Sequence, residues 1–235
     1  CGTGQHSIFT AKKYKDCQVL AIDISLNSLA YAKRKTEELK VTNIQYMHAD
    51  ILDLETTREK FDIIECSGVL HHMEHPMAGW TALVRCLNSG GLMKIGLYSK
   101  LARPHITQIR NELNNDNAMF SVNYTKLHRN RIINSEKEHH KRILSSPDFY
   151  SMSSIRDLLF HVQEHQFTIP KIKDCLQELG LIFCGFEHTK QISEIINNSK
   201  EVSLNNMYDL DTWERYETKH PRTFAGMYQF WCQKI

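Results

Sequence analysis

Short apolar segments alternate with helical patterns through the first hundred residues, and this alternation constrains the fold more than any other feature of the sequence. Four segments bounded by charged residues, glycine or asparagine are predicted as strands: residues 18–23, 43–51, 61–67 and 91–99. Between them, Ser25 is typical of a helix N-cap, with a helix predicted to about Lys40, and a second helix is predicted over residues 77–87. Alternation of this kind predicts a parallel sheet covered by helices, with ligands at the carboxyl ends of its strands.

Residues 101–167 interrupt the alternation. Apolar residues recur there at spacings of three and four, among many asparagines and serines, which predicts an inserted helical lid. We therefore expect an α/β domain made of residues 1–100 and 168–235, with the lid between its two parts.

The sheet pattern resumes after the insertion. Thr168 as N-cap and Gly180 just beyond the end delimit a predicted helix, which leads into a predicted strand over residues 181–188. Residues 192–223 are expected to be irregular, apart from a short helix around Trp213. The apolar and aromatic residues of the C-terminal segment predict a last strand that is covered on both sides.

Charge and cysteine content limit the partners and the compartment. The chain has 29 Lys and Arg against 27 Asp and Glu, a net charge of +2, so no global attraction to nucleic acid is expected. Its seven cysteines include no Cys-x-x-Cys pair, which favours small buried apolar residues over disulfides or a zinc clip. We therefore expect a cytoplasmic protein. No apolar run approaches the ~18 residues that span a membrane.

The segment CGTGQHS stands directly before a predicted helix, an arrangement in which a glycine-rich turn can approach a phosphate or a nucleotide. Ser7 occupies the position of the third glycine in a dinucleotide-binding G-x-G-x-x-G motif, which counts against a nicotinamide enzyme. Asp23 ends the next strand, where its carboxylate can accept both hydroxyls of a ribose. Asp50 ends the following strand, and DIIECSGVLHHME ends the one after that.

At these positions the chain resembles the class I S-adenosylmethionine-dependent methyltransferases, whose first motif commonly reads E/D-x-G-x-G-x-G. CGTG supplies the last two glycines, so the resemblance implies that the acidic residue, the first glycine and the first strand precede Cys1. The resemblance covers residues 1–99 well and residues 168–188 and the last strand moderately. It implies a Rossmann-like α/β sheet of seven strands, mostly parallel, with an antiparallel last strand.

One branch of the superfamily is the most similar. The segment SGVLHHMEHPMAGWTALVRCLNSGGLMKIGLYS resembles the ubiquinone and menaquinone methyltransferases, and also bacterial methyltransferases with N-terminal tetratricopeptide repeats. The first likeness implies a small-molecule acceptor, and the second allows an upstream repeat region.

The resemblance also implies which residues bind S-adenosyl-L-methionine. They are Gly2, Gly4, Asp23, Ile24, Asp50, Ile51, Cys66 and Ser67. The two glycines would let the backbone approach the methionine part and the ribose, whose hydroxyls would bind Asp23. Ile24 would pack on the adenine and Asp50 would accept from its amino group, near the Ile51 amide. The backbone at positions 66 and 67 would line the pocket.

The reaction requires few particular residues around the methyl acceptor. The methyl group on a sulfonium is already activated, so the enzyme mainly positions a nucleophile and excludes water. A hydroxyl or a carbon acid would also need a proton acceptor. His71 and His72 are the candidate catalytic residues, and the alternative is that they brace the loop. Tyr98 and Arg103 are candidates for holding the substrate, against the alternative of a rim tyrosine and a surface arginine.

Two further motifs offer competing interpretations. HVQEH, residues 161–165, matches the inverted zinc-protease signature, but no other protease motif accompanies it, so we expect no metal there. On a helix, His161 and His165 would share a face and could reach the substrate pocket, or the helix could simply face solvent. Residues 126–142 hold six Lys or Arg and three His against two Glu, which fits either RNA phosphates or a solvated helix face. No aromatic row for stacking bases is present, so nucleic acid is not expected.

The sequence thus predicts a methyltransferase that acts by in-line displacement on an unidentified acceptor, with a small molecule favoured. Three alternatives stay open: a cofactor-binding module without turnover, an RNA or protein methyltransferase, and a nicotinamide enzyme. The oligomeric state is not indicated.

Overall fold

The computed structural model describes residues 1–113 and 121–235. The strands within these ranges are β1 (Val19–Asp23), β2 (Ile44–His48), β3 (Phe61–Ser67), β4 (Leu87–Leu97), β5 (Leu181–Phe186) and β6 (Tyr228–Lys234). The α-helices within the same ranges are α1 (Gln5–Lys13), α2 (Leu26–Glu38), α3 (Pro76–Cys86), α4 (Pro104–Leu113), α5 (Val122–Ile133), α6 (Glu138–Ile143), α7 (Met152–Ile155), α8 (Ile169–Glu178), α9 (Lys190–Asn198) and α10 (Leu210–Lys219). All strands and helices predicted in the first hundred residues are present.

The residues predicted to cap α2 and α8 do so in the structure. The Ser25 hydroxyl accepts from the Ser28 amide at 3.3 Å and so caps α2, while Thr168 caps α8 through the Lys171 amide at 3.4 Å. Gly180 follows α8 at φ +64°, a left-handed conformation that glycine adopts without strain. The helix α9 was missed, and residues 192–223 are therefore less irregular than the sequence suggested.

The strands form two sheets. β1 pairs with β2 in parallel, and the second sheet has the order β3-β4-β6-β5, in which β3 and β4 are parallel and β6 is antiparallel to both of its neighbours. The antiparallel last strand is therefore confirmed. Within the described residues β1 and β3 each pair on one side only, and six of the seven strands that the resemblance implies are present.

The main hydrophobic core lies between the four-stranded sheet and helices α3, α8 and α10. Trp80, Trp213 and Phe230 are among its fully buried side chains. Along β6, Tyr228, Phe230 and Cys232 are fully buried while the residues between them are half-buried, as the predicted alternation required. This rigid sheet fixes the carboxyl ends of β3 and β4.

Residues 101–167 carry a second hydrophobic cluster of their own. Its members come from α4 to α7 and the adjoining segments: Ile106, Ile109, Leu113, Tyr124, Ile132, Ile143, Phe149, Ile155, Leu158, Leu159 and Phe160. The basic segment 126–142 forms parts of two helices rather than one, and His128 and His140 are buried in it. None of the described helices is long and apolar enough to cross a membrane.

The expectation that HVQEH lies on a helix is wrong. A π-helical turn ends at Phe160, and residues 161–165 are not helical. The backbone instead bonds to the sheet side: Phe167 donates to the Tyr98 carbonyl at 2.8 Å, and Lys100 donates to the Phe167 carbonyl at 2.8 Å. These contacts bring the end of the insertion against the end of β4.

Candidate functional site

Asp23 lies at the tip of β1, paired in register with His48 of β2. Its Oδ2 accepts from the Gly2 amide at 2.7 Å, and its Oδ1 accepts from the Ser25 amide at 2.8 Å. Burial acts to raise the pKa of this carboxyl, whereas the hydrogen bonds from the Ser25 and Gly2 amides act to lower the pKa. A carboxylate offers about four lone-pair positions, so about one position on each oxygen remains for a ribose hydroxyl.

The two N-terminal glycines have different roles. Gly2 has φ +55°, and a Cβ at this position would meet nothing within 4 Å, so its backbone faces open space. Gly4 has φ +82°, but a Cβ there would lie 2.7 Å from the Ala32 side chain. Gly4 therefore permits α1 to pack on α2, and of these two glycines only Gly2 has open space at its Cβ position.

Asp50 follows β2 and caps the 3-10 turn Ile51–Thr56. Its Oδ1 accepts from the Leu52 amide at 2.9 Å, while Asp53 accepts from the Asp50 amide at 3.0 Å. Asp50 is exposed, and Ile51 packs partly against the main core. Ile24, beyond the tip of β1, is 70% exposed, so its apolar side chain is open to contact with a ligand beside Asp23.

Cys66 and Ser67 end β3 beside β4, in register with Ile95 and Gly96. The Cys66 thiol is buried in the main core, and burial raises its pKa to about 12, so it is not a reactive thiolate. The Cys66 side chain therefore cannot face the site, whereas Ser67 is exposed at the end of the strand. Gly68, which follows at φ +79°, leaves open space where a side chain would stand.

His71 and His72 form a turn beyond β3 and stack against aromatic neighbours. The His71 ring lies 3.9 Å from the Tyr98 ring, centroid to centroid, and His72 lies 3.9 Å from His161. His71 is fully buried, and neither of its ring nitrogens has a hydrogen-bond partner among the described residues. Burial, reinforced by the nearby His72 and by Arg103, lowers the pKa of His71 to about 3. His71 is therefore neutral and a poor proton acceptor.

His72 is better suited to accept a proton. Its Nδ1 lies 2.9 Å from the Gln163 carbonyl, and a carbonyl can only accept, so the hydrogen sits on Nδ1 and the lone pair on Nε2. Burial lowers the pKa of His72, although the Gln163 carbonyl acts in the opposite direction. The tautomer thus leaves Nε2 as the acceptor.

The segment 161–165 packs on this histidine turn. The His165 amide donates to the His71 carbonyl at 2.7 Å, and the His161 Nδ1 bonds to the Gln163 carbonyl at 2.7 Å. His161 therefore lies in the predicted acceptor region, although no helix places it there. The Nε2 of His165 is buried and has no partner among the described residues.

A buried ion-pair group holds the segment in place. Arg103 and Glu164 each have side chains 3% exposed and pair at 3.0 Å, while Arg110 lies 3.4 Å from the same Glu164 oxygen. The Arg103 guanidinium also stacks 3.6 Å over the Tyr98 ring. The alternative of a surface arginine at 103 is wrong, whereas Tyr98 is half-buried at the rim.

Sequence reasoning gave no separate role to Arg110 or to the Gln163 carbonyl. Arg110 also donates to the His161 carbonyl at 2.6 Å. A buried Glu164 paired with two arginines leaves no carboxylate for a metal, so the zinc-protease interpretation of HVQEH is wrong. No local sequence pattern indicates these contacts, because the partners lie more than fifty positions apart along the chain.

Known proteins resemble this chain in part of their sequence. A family model described as a methyltransferase domain matches residues 1–91. An uncharacterised protein of Synechococcus sp. is 25% identical over 229 residues, which are 92% of this chain and 54% of that protein. Demethylmenaquinone methyltransferase of Staphylococcus saprophyticus is 31% identical over 94 residues, 40% of each chain.

The solved structures include a neighbour that covers the whole chain. PKMT2 from Rickettsia typhi, in complex with AdoHcy, superposes with a TM-score of 0.69 at 18% identity and covers 100% of this chain and 47% of that one. The chain therefore spans about half the length of these two proteins. At this identity the superposition establishes the fold.

Proposed function

We propose that this chain, which has the fold and the methyltransferase domain of the class I S-adenosylmethionine-dependent methyltransferases, transfers a methyl group to a small-molecule acceptor. The acceptor would lie beside the Nε2 edge of His72, which residues 161–165 brace from the Nδ1 side. The observation that carries the proposal is the His72 tautomer, which leaves Nε2 as a proton acceptor on a half-buried ring stacked against His161. The likeness to demethylmenaquinone methyltransferase supports a small acceptor.

The residues at the strand tips fit S-adenosyl-L-methionine. The open backbone at Gly2 and Gly68 gives room for close approach, Asp23 keeps an acceptor position on each oxygen for the two ribose hydroxyls, and Ile24 offers an uncovered apolar surface for adenine. The exposed Asp50 carboxylate is the acceptor for the adenine amino group. The cofactor supplies a methyl group that its sulfonium has already activated.

The chain's own residues then position the acceptor and handle its proton. His72 takes the proton through Nε2, while neutral His71 holds the ring of Tyr98. Burial raises the pKa of Tyr98, although Arg103 acts to lower it, so its hydroxyl stays protonated and can donate to the acceptor. The buried pair of Arg103 and Glu164 fixes this wall and excludes water.

The cysteines support a reducing compartment, and we place the protein in the cytoplasm. All seven are unpaired, and Cys66, Cys86, Cys175 and Cys232 are buried.

A labelling experiment tests the proposed function. Full-length protein, methyl-labelled cofactor and fractionated cell extract should give label in the small-molecule fraction. His72→Gln should lower the rate by at least about 100-fold, because a positioned base contributes that much, with cofactor affinity unchanged. His75→Gln, in the same loop but exposed, is the matched control and should retain the rate. Label confined to protein or RNA would refute the small-molecule acceptor.

The cofactor half has its own test. Asp23→Ala should weaken S-adenosylhomocysteine binding by about 1.5–3 kcal/mol, roughly 10- to 150-fold, since a charged hydrogen bond is lost. Titration calorimetry measures this, with exposed Asp16→Ala as the control. Unchanged affinity for Asp23→Ala would remove Asp23 from the cofactor site.

A further inference from the structure

Three metal-ligating side chains converge on the lid, away from the site described above. Glu112 lies near the end of α4, and His139 and His140 are adjacent in α6. The His139 Nε2 is 2.7 Å from Glu112 Oε1, and the His140 Nε2 is 3.1 Å from Glu112 Oε2. One donor atom from each residue lies within 4.8 Å of the other two. Across residues 1–113 and 121–235, this is the one group of three His, Cys, Asp or Glu residues with such geometry.

The three side chains differ in their exposed fraction, so a bound ion would be open to water on one side. The side chain of His140 is 5% exposed, that of His139 is 20% exposed and that of Glu112 is 36% exposed. Two ligands are therefore held by the protein interior, and water can reach the third. Because two helices contribute the ligands, any ion bound here would bridge α4 and α6.

We propose that Glu112, His139 and His140 bind a divalent first-row transition-metal cation, with Zn²⁺ the best fit. Two imidazole nitrogens and one carboxylate oxygen form a donor set that suits zinc, with a water in the fourth position. Zinc ligands lie about 2.0–2.2 Å from the ion, which spaces the ligand atoms of a tetrahedral site roughly 3.3–3.6 Å apart. Each histidine nitrogen therefore needs to move only slightly away from the Glu112 oxygen that it now contacts.

The Lys137 ammonium would compete with a metal cation for the Glu112 carboxylate. Its Nζ lies 3.0 Å from Glu112 Oε1, on the same oxygen that faces His139. The lysine side chain is 56% exposed, so it can turn into solvent at little cost when a divalent cation arrives. Removal of the lysine charge should therefore tighten metal binding, whereas removal of a ligand should weaken it.

Metal binding would also hold α4 in place, and α4 in turn contacts residues 161–165. Arg110 stands two positions before Glu112 on the same helix and pairs with Glu164 and the His161 carbonyl. The cation would thus stabilise the helix that holds residues 161–165 in place. This role does not depend on methyl transfer.

The test is a titration of the full-length protein, stripped with a chelator, with Zn²⁺ by calorimetry and with Co²⁺ by visible absorption. Wild type should bind one equivalent at this cluster. Glu112→Gln and His139→Gln should each lose roughly 100-fold or more in affinity, because removing a ligand costs at least as much as removing a supporting partner of one. Both positions are at least partly exposed, so these variants should fold; His140 is avoided because it is buried.

Two controls make the result decisive. His188→Gln, an exposed histidine on another part of the surface, should bind as wild type does, and Lys137→Gln should bind at least as tightly. Zn²⁺ should raise the melting temperature of wild type and of His188→Gln but not of His139→Gln. Equal affinity in wild type, Glu112→Gln and His139→Gln, or equal losses in His188→Gln, would overturn the proposal.

Discussion

The cofactor side and the acceptor side of the candidate site are built in opposite ways. On the cofactor side, Asp23 and Asp50 bond to amides close to them in the chain or in the neighbouring turn, and Asp50 is exposed. On the acceptor side, Arg103 and Glu164 are 61 positions apart and almost fully buried. The first side uses carboxylates that already cap turns, and the second uses buried charges that must be paired.

This difference has an energetic consequence. An exposed cap is worth about 1 kcal/mol to stability, and chemically similar residues can replace it. A buried charge that loses its partner costs several kcal/mol, because it cannot recover its hydration. Substitutions on the cofactor side should therefore change binding more than folding, and substitutions on the acceptor side should do the reverse.

The strongest test of this contrast is Glu164→Gln. The substitution leaves Arg103 buried without a counter-charge and weakens the hold on Arg110, so the free energy of unfolding should fall by about 3–5 kcal/mol. Urea unfolding measures the change. Glu138→Gln is the control, since Glu138 is 93% exposed and its loss should not be measurable. Similar stabilities for the two variants would mean that the buried ion pair does not hold the acceptor side together.

A smaller effect should appear in the pH dependence of stability. The folded protein holds the pKa of His71 at about 3, against 6.5 in the unfolded chain, so the unfolded state binds more protons as the pH falls below 6.5. Between pH 7 and pH 4.5 this residue alone should remove about 2–3 kcal/mol of stability. His71→Phe keeps the aromatic stack on Tyr98 and should lose that part of the pH dependence.

The control for this measurement is His75→Phe, because His75 is exposed in the same loop. Its stability should depend on pH as that of wild type does. If His71→Phe and wild type lose stability in parallel from pH 7 to pH 4.5, then His71 is not buried in its neutral form and the acceptor wall is more open than the structure shows.

The sequence predicted the strands, turns and helix caps of the cofactor side well because their signals are local. Strand, turn and cap residues lie next to each other around Ser25 and Asp23, and the alternation of strands and helices placed them at a sheet edge. The resemblance agrees with the methyltransferase-domain model that matches residues 1–91 and with the fold of the solved neighbours, and the antiparallel last strand is confirmed. The roles of the individual site residues stay predictions.

The acceptor side was only partly predictable, for a physical reason. Residues 161–165 have a helical spacing of histidines, but their backbone bonds to His71, and their carboxylate pairs with Arg103. Tertiary hydrogen bonds and a buried ion pair override a pattern of side chains at i and i+4. No local signal in HVQEH encodes these distant partners.

Asp50→Ser should have the smallest effect. This variant also separates best a change in cofactor affinity from a change in the free energy of unfolding. Serine caps a helical turn about as well as aspartate, so stability should change by only a few tenths of a kcal/mol. Serine is too short to reach adenine, and because Asp50 is exposed to competing water, S-adenosylhomocysteine affinity should fall by only about 1 kcal/mol, roughly fivefold. The matched variant is Asp53→Ser in the same turn, whose carboxylate accepts from the Asp50 amide and should affect stability alone. Calorimetry and urea unfolding on both variants decide the matter: unchanged affinity in Asp50→Ser would make Asp50 a cap and nothing more.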